Sequence, residues 1–336
     1  MKRIDYIDAM RGFAIFLVTL GHVLERSGYP NSELFSFIYS FHMPLFMCIS
    51  GYVCAYVYQD KMNEGMSYKK LSVTGLAFIW RKFRFIMIPY FVWSLVVKPF
   101  FFNPYTRPLD WMTCFKGACI ENTSYWFLPC LFGLMVFYPL YKVLMKVCVG
   151  GGKNRVTELL VIGGTGIFIF GLFRLTHSDF FRSILSYYLP FWIGILMGQN
   201  NRLDRLVTEN TVVFLAAFTG FCLTEGLFFS NTGMLGKGTR LICGILALPI
   251  MFNFFKHLQL PEKINNALCH VGKNTLPIYV MQFAFLRGMP EIRGLNLFYQ
   301  VVVFSIVSVL MITFILQITR LLGSNRMLGQ VLLGKR

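Results

Sequence analysis

YIDAMRGFAIFLVTLGHVL, residues 6–24, is the stretch on which the reading of this chain turns. It is apolar over roughly the 20 residues that a helix needs to cross a hydrocarbon layer about 30 Å thick. It nevertheless carries Asp8, Arg11 and His22. Asp5, Asp8 and Arg11 crowd its start and no small-residue cleavage site follows Leu24, so it is expected to remain in the protein as a helix. Arg11 and His22 lie eleven residues apart. At about 100° and 1.5 Å per residue, that spacing returns to within about 20° of the same face, about 16 Å further along. Ionisable side chains are costly in lipid, so both are expected to face protein or a water-filled path. A guanidinium at one end of such a lane and an imidazole at the other suit an anionic substrate whose reactive end threads inward.

Outward from this segment, apolar runs recur. Of 336 residues, 56% are hydrophobic and 14% charged, with a mean hydropathy of +0.58. Soluble domains carry about 25% charged residues. The expectation is an all-α, polytopic integral membrane protein of about ten transmembrane helices: Tyr6–Leu24, Leu34–Tyr58, Leu76–Phe102, Tyr125–Val147, Val156–Phe173, Ile184–Met197, Val212–Phe229, Leu241–Phe255, Thr275–Met289 and Leu295–Ile318. Ile184–Met197 is short for a crossing and reads as re-entrant or as lying where the membrane thins. No linker, repeat or low-complexity stretch divides the chain, so one membrane domain over residues 1–336 with no separate soluble domain is expected. With ten spans both termini share a side, and most of the 32 Lys and Arg fall on the joints of that side. This points to a cytoplasmic N-terminus and C-terminus.

The net charge of +17 sits beside apolar runs, with no folded basic module. It implies contact with anionic membrane lipids and no nucleic-acid partner. The nine cysteines show no metal-ligand spacing, and most sit inside apolar runs as small hydrophobes. Cys114 and Cys119, in an outer joint, are the two placed to pair. Nothing in the sequence sets an oligomeric state.

Three groups of residues bear chemistry. In the first, Asp8–Arg11 and His22–Glu25 are i,i+3 pairs. They read either as an interfacial ion pair plus a helix-to-helix hydrogen bonder, or as a reactive lane. In the second reading a neutral imidazole takes a proton from a hydroxyl as that oxygen attacks a carbonyl, with Glu25 orienting the ring. The second group is Arg81-Lys82-x-Arg84, whose forked guanidiniums bind phosphate bidentately while Lys82 adds a point charge. Taken alone it reads more readily as a positive-inside lipid anchor. The third is His42-Met43-Pro44-Leu45-Phe46 with Ser50-Gly51, where Pro44 kinks the span and Gly51 allows close approach. His42 is its one residue with catalytic chemistry. Trp126 suits an aromatic belt, and Tyr279 and Gln282 share a face that suits a polar path.

Taken in order, these motifs resemble the membrane-bound acyltransferase 3 family, integral-membrane enzymes that modify bacterial surface glycans. The resemblance rests on Ile7-Asp8-Ala9-Met10-Arg11-Gly12 with His22, on His42 through Gly51, and on Arg81-Lys82-Phe83-Arg84 followed by Pro89. Trp126-Phe127-Leu128 and Gly272-Lys273-Asn274-Thr275 through Tyr279 extend it. It implies a ten-helix core that passes an acyl group, acetyl or another short chain, from cytoplasmic acyl-coenzyme A to a hydroxyl of an extracytoplasmic or lipid-linked glycan. It places function at Arg11, His22, Arg81 and Arg84, with a bacterial inner membrane as the setting and no metal.

On this reading Arg81, Lys82, Arg84 and Arg11 hold the donor and His22 is the general base or, less readily, an acyl-accepting nucleophile. Asp8, Glu25, His42, Trp126, Asn274, Tyr279 and Gln282 are supporting or acceptor-side residues, with Trp126, Asn274 and Thr275 as oxyanion candidates. The chain departs from many relatives in carrying Gln282 where they have histidine. Glutamine cannot exchange a proton at neutral pH, so His22 carries more of the transfer. The family's extracellular hydrolase-like appendage is not expected. The rival reading is a transporter or exporter of a sugar, amino acid or glycan, because intramembrane charges also mark transport paths. A receptor-like module leaves the alignment of these residues unexplained.

Overall fold

The computed structural model describes residues 4–59, 61–62, 65–102, 112, 115–117, 125–150, 154–230 and 234–334. Every regular element among them is helical. In chain order these are α1 (Asp5–Arg26), α2 (Glu33–Tyr58) and α3 (Tyr68–Lys82). α3 continues through a π-helical stretch (Phe83–Met87), α4 (Ile88–Phe91) and a second π-helical stretch (Val92–Phe102). There follow α5 (Phe127–Val149), α6 (Arg155–Thr176), α7 (Asp179–Gln199), α8 (Asn201–Glu209), α9 (Thr211–Ser230) and α10 (Met234–His257). The chain ends with α11 (Glu262–Lys273), α12 (Thr275–Leu286), α13 (Leu297–Gly323) and α14 (Arg326–Leu333).

The protein is all-helical and membrane-spanning, as expected, but the expected ten crossings are not ten equivalent helices. Among the described residues seven helices are long and apolar enough to cross alone, and α8 with α9 makes an eighth if that bent pair is one span. The sixth expected segment proves longer than its apolar run: α7 has 21 residues because Asp179 and Arg182 extend it in an exposed ion pair. The third runs helically but passes twice into π geometry. The ninth is a 12-residue helix, about 18 Å long, well short of a bilayer core. Cys114 and Cys119 lie outside the described residues.

The chain divides into two compact units: residues 1–50 with 196–322, and residues 51–195 with 323–336. In the first, α11 lies against the N-terminal half of α1 at a glycine crossing. A Cβ on Gly12 would stand 2.1 Å from the Leu268 carbonyl oxygen, and one on Gly272 would stand 2.0 Å from that of Asp8. Only hydrogen in both places lets the backbones meet, the device by which membrane helices approach closely. Pro277 lacks the N–H that a helix running through Lys273 would need, so α11 stops there and α12 starts anew after Asn274. The Asn274 amide donates to the His270 carbonyl (2.9 Å), covering one of the acceptors left at the end of α11.

A second break in this unit bends α8 from α9 by 61°. Asn210 has extended ψ and accepts from the Val213 N–H (3.0 Å), so it caps α9 while ending α8. Its neighbours are held by α10. The Lys256 ammonium donates to Glu209 and to the Thr208 hydroxyl, each at 2.8 Å, and the Asn253 amide donates to the Thr208 carbonyl (2.9 Å). Lys256→Met keeps the aliphatic stem but removes the clasp. Trypsin should then cut α8 at Arg202 and Arg205 severalfold faster; wild-type cleavage rates would mean that the bend does not depend on Lys256.

In the second unit Pro89 cannot donate to the Phe85 carbonyl, and the helix widens into a π turn over the preceding residues. The end of α14 fills the space beside that carbonyl. Gly334 sits at φ +59°, and a Cβ there would be 2.3 Å from the Phe85 oxygen. The Trp93 indole N–H donates to the Leu332 carbonyl (2.8 Å) in the same contact. The segment carrying Arg84 is therefore buttressed by the last helix.

Candidate functional site

Arg11 and His22 meet one neighbour, α12, near its two ends. The Arg11 guanidinium donates to the Thr275 hydroxyl (3.4 Å), and the His22 ring lies against the Phe283 ring with centroids 5.1 Å apart. The contacts ascend both helices together, so α12 runs alongside α1 in the same direction. Asp8 lies 3.9 Å from the Arg11 guanidinium, a loose i,i+3 pair on the same helix.

His22 has its Nδ1 3.4 Å from the Glu25 carboxylate. A carboxylate at neutral pH only accepts, so Nδ1 carries the proton of this contact, and in the neutral ring Nε2 is then the nitrogen with the lone pair. The His22 side chain is 21% exposed, enough for Nε2 to be reached and too little for it to be freely solvated. A base oriented by an acid, with its second nitrogen open, is the arrangement that general-base catalysis needs.

The residues around this pair divide by their partners. Tyr279 meets the edge of Phe283 (5.9 Å). Gln282 is fully buried, with its amide N–H on the Tyr279 carbonyl (3.1 Å) and its Oε1 without a hydrogen-bond partner among the described residues. Asn274 has its amide on its own helix end, so it is a cap. His42 is buried on α2, with Nδ1 2.7 Å from the Ile38 carbonyl. A carbonyl also only accepts, so His42 too is an Nδ1–H tautomer with an Nε2 lone pair.

The remaining expected residues belong to the second unit. Trp126 stacks on Tyr187 (5.5 Å, 20°). Arg81 is half-buried and Arg84 exposed, and among the described residues neither has a carboxylate within ion-pair distance. Lys82 differs: its ammonium lies over the rings of Phe78 (5.4 Å) and Tyr58 (5.9 Å). Two guanidiniums without acids one helical turn apart can receive a phosphate, while Lys82 is held by aromatic faces.

Sequence reasoning passed over Glu225, an acid inside the apolar run of α9, and Arg240 near the start of α10. The signal for Glu225 was present, because a carboxylate within a span is itself a mark of function. It was missed because it lies in no motif.

Comparison with known proteins follows the same lines. Residues 4–320 match the profile of a family described as "Acyltransferase domain". The Nodulation protein NolL of Sinorhizobium fredii is 46% identical over 54 residues, 14% of this chain and 15% of that protein. The Nodulation protein NolL of Mesorhizobium japonicum is 22% identical over 313 residues, 85% of this chain and 77% of that protein. No solved structure matches the chain.

Proposed function

The chain belongs to the membrane-bound acyltransferase 3 family, and from that premise we propose that it moves an acyl group, acetyl in the simplest case, from cytoplasmic acyl-coenzyme A to a hydroxyl of an extracytoplasmic or lipid-linked glycan. The observation that carries this reading is the Nδ1 contact of His22 with Glu25 on the helix that also bears Arg11. His22 Nε2 takes the proton of the acceptor hydroxyl as its oxygen attacks the thioester carbonyl. The tetrahedral adduct then collapses, the C–S bond breaks, and the imidazolium returns the proton to the leaving sulfur. Glu25 steadies the imidazolium between these two transfers.

In this reading Arg81 and Arg84 hold the phosphates of the coenzyme, and Arg11 is a further positive group for the donor. Lys82, held by its rings, positions the segment. The N-terminus and C-terminus lie in the cytoplasm, an orientation that the distribution of Lys and Arg supports, and the setting in a bacterial inner membrane rests on the family alone.

The test is purified protein with labelled acetyl-coenzyme A and membrane-extracted lipid-linked sugars, scored by coenzyme A release and label on the glycan. Arg84→Ala should raise the donor KM by about tenfold, the loss of one charge-assisted phosphate contact, with a smaller effect on kcat. An unchanged donor KM would remove Arg84 from the donor site. Wild-type protein that carries solute across vesicles without releasing coenzyme A would make the chain a transporter.

A further inference from the structure

One acid in the first unit has no part in the transfer just described. Glu225 lies on α9, is 7% exposed, and neither carboxylate oxygen has a hydrogen-bond partner among the described residues. Its polar neighbours are the Ser40 hydroxyl and the Cys243 thiol. Ser40 donates instead to the Phe37 carbonyl (2.8 Å), and a thiol is a weak donor. Arg240, one turn before Cys243, donates its Nε–H to the Tyr39 carbonyl (3.0 Å) and lies over the Tyr39 ring (5.7 Å). It forms no ion pair with Glu225. The fold thus buries an acceptor while Arg240 is engaged by Tyr39.

Tyr39 ties this acid to the His22 turn. Its ring presses on α1, where a Cβ on Gly21 would be 2.7 Å from Tyr39 Cε2, and it meets the edge of the His42 ring at 4.7 Å. Pro44 on α2 closes on α10 below, 2.5 Å from where a Gly244 Cβ would be. Tyr39 thus stands between the His22 turn of α1 and Arg240 of α10, the helix whose Cys243 neighbours Glu225.

A buried carboxylate without donors is costly unless something brings them. Two adjacent hydroxyls on a sugar ring offer two O–H donors at the separation of two carboxylate oxygens. An anionic acceptor would be repelled by Glu225, which leaves neutral sugars as the matching class. Resting on the glycan-acyltransferase reading above, we propose that Glu225 is an acceptor-binding residue: its carboxylate accepts hydrogen bonds from neighbouring hydroxyls of a neutral sugar. Arg240 donates to a further sugar oxygen, and Tyr39 is a positioning residue that keeps Arg240 and the His22 turn in register.

The test is saturation-transfer NMR on the detergent-purified full chain with methyl glycosides of glucose, galactose, N-acetylglucosamine, rhamnose and fucose, with acetyl-coenzyme A binding measured in parallel. Wild type should bind at least one glycoside. Glu225→Gln should weaken it by at least about tenfold, as expected for removing a buried charged acceptor, and leave acetyl-coenzyme A binding unchanged. Glu225→Asp should keep part of the affinity, and it carries the test if the Gln variant does not fold. The proposal is overturned if wild type binds none of the glycosides, if Glu225→Gln binds them equally well, or if the variant loses acetyl-coenzyme A binding to the same degree. Glycoside binding that depends on Glu225 in a protein that never releases coenzyme A would keep this subsite and remove the transfer reading.

Discussion

On the proposed reading, His22→Ala should lower acyl transfer by about 10²- to 10⁴-fold, the usual contribution of a positioned general base, while acyl-coenzyme A should bind as in wild type. That range corresponds to about 3–5 kcal/mol of transition-state stabilisation. The separation of the two effects follows from the site. Among the described residues His22 touches Glu25 and Phe283, and neither contact involves Arg11, Arg81 or Arg84. Its loss therefore removes the proton acceptor and leaves the cations intact. Single-turnover transfer with labelled donor, beside equilibrium donor binding, reads the two apart. A parallel loss of both would show that His22 supports the fold or the donor site. Mass spectrometry of quenched turnover distinguishes the base from a nucleophile, since an acyl group on His22 would mark a covalent intermediate. Glu25→Gln keeps an acceptor for Nδ1–H but not the charge that steadies the imidazolium, so it should show a smaller loss in the same step.

Gly272→Ala should cost about 3 kcal/mol or more, because the added methyl would overlap a backbone carbonyl that has no side-chain freedom to move aside. Its Cβ would lie 2.0 Å from the Asp8 oxygen and 3.0 Å from the Gly12 nitrogen. The two helices must separate or slide, and Thr275, three residues on, leaves Arg11. The variant should melt well below wild type in detergent and lose transfer together with stability. Gly163→Ala is the control. It lies within α6 with nothing within 4 Å of the new methyl, so it should be neutral or gain up to about 1 kcal/mol from helix propensity. If Gly272→Ala melts with wild type, the close crossing of α1 and α11 is not what holds this unit.

Much of this site was open to reading before any fold was known, and the reason differs from residue to residue. Arg11 and His22 share a face because eleven residues nearly close three helical turns, a local property of any α-helix. The His22–Glu25 contact follows from i,i+3 spacing in the same way. Lys82 did not follow from its neighbours: beside two arginines it reads as a third phosphate contact, yet Phe78 and Tyr58 draw its ammonium over their faces. Gln282 and Tyr279 share a helical face as expected, but only the surrounding packing buries Gln282 completely. The ninth segment is apolar enough to suggest a crossing, but its helix, which starts at Thr275 as expected, ends at Leu286, just before Arg287, Gly288 and Pro290, an effect that hydropathy alone does not register.

From its sequence alone this chain was bound to be a polytopic helical membrane protein with an arginine and a histidine on one face of its first helix. Apolar length and helical period act within a few turns of chain and need no distant partner. Tertiary structure alone decided that α12 lines both residues, that glycines on α1 and α11 let the two backbones touch, and that Glu225 is enclosed beside Ser40 and Cys243 with no hydrogen-bond partner among the described residues. Those outcomes join residues up to 264 positions apart, as Arg11 and Thr275 are. Periodicity tells a side chain which way to point about its own axis, and the choice of neighbour belongs to the packing of the whole unit.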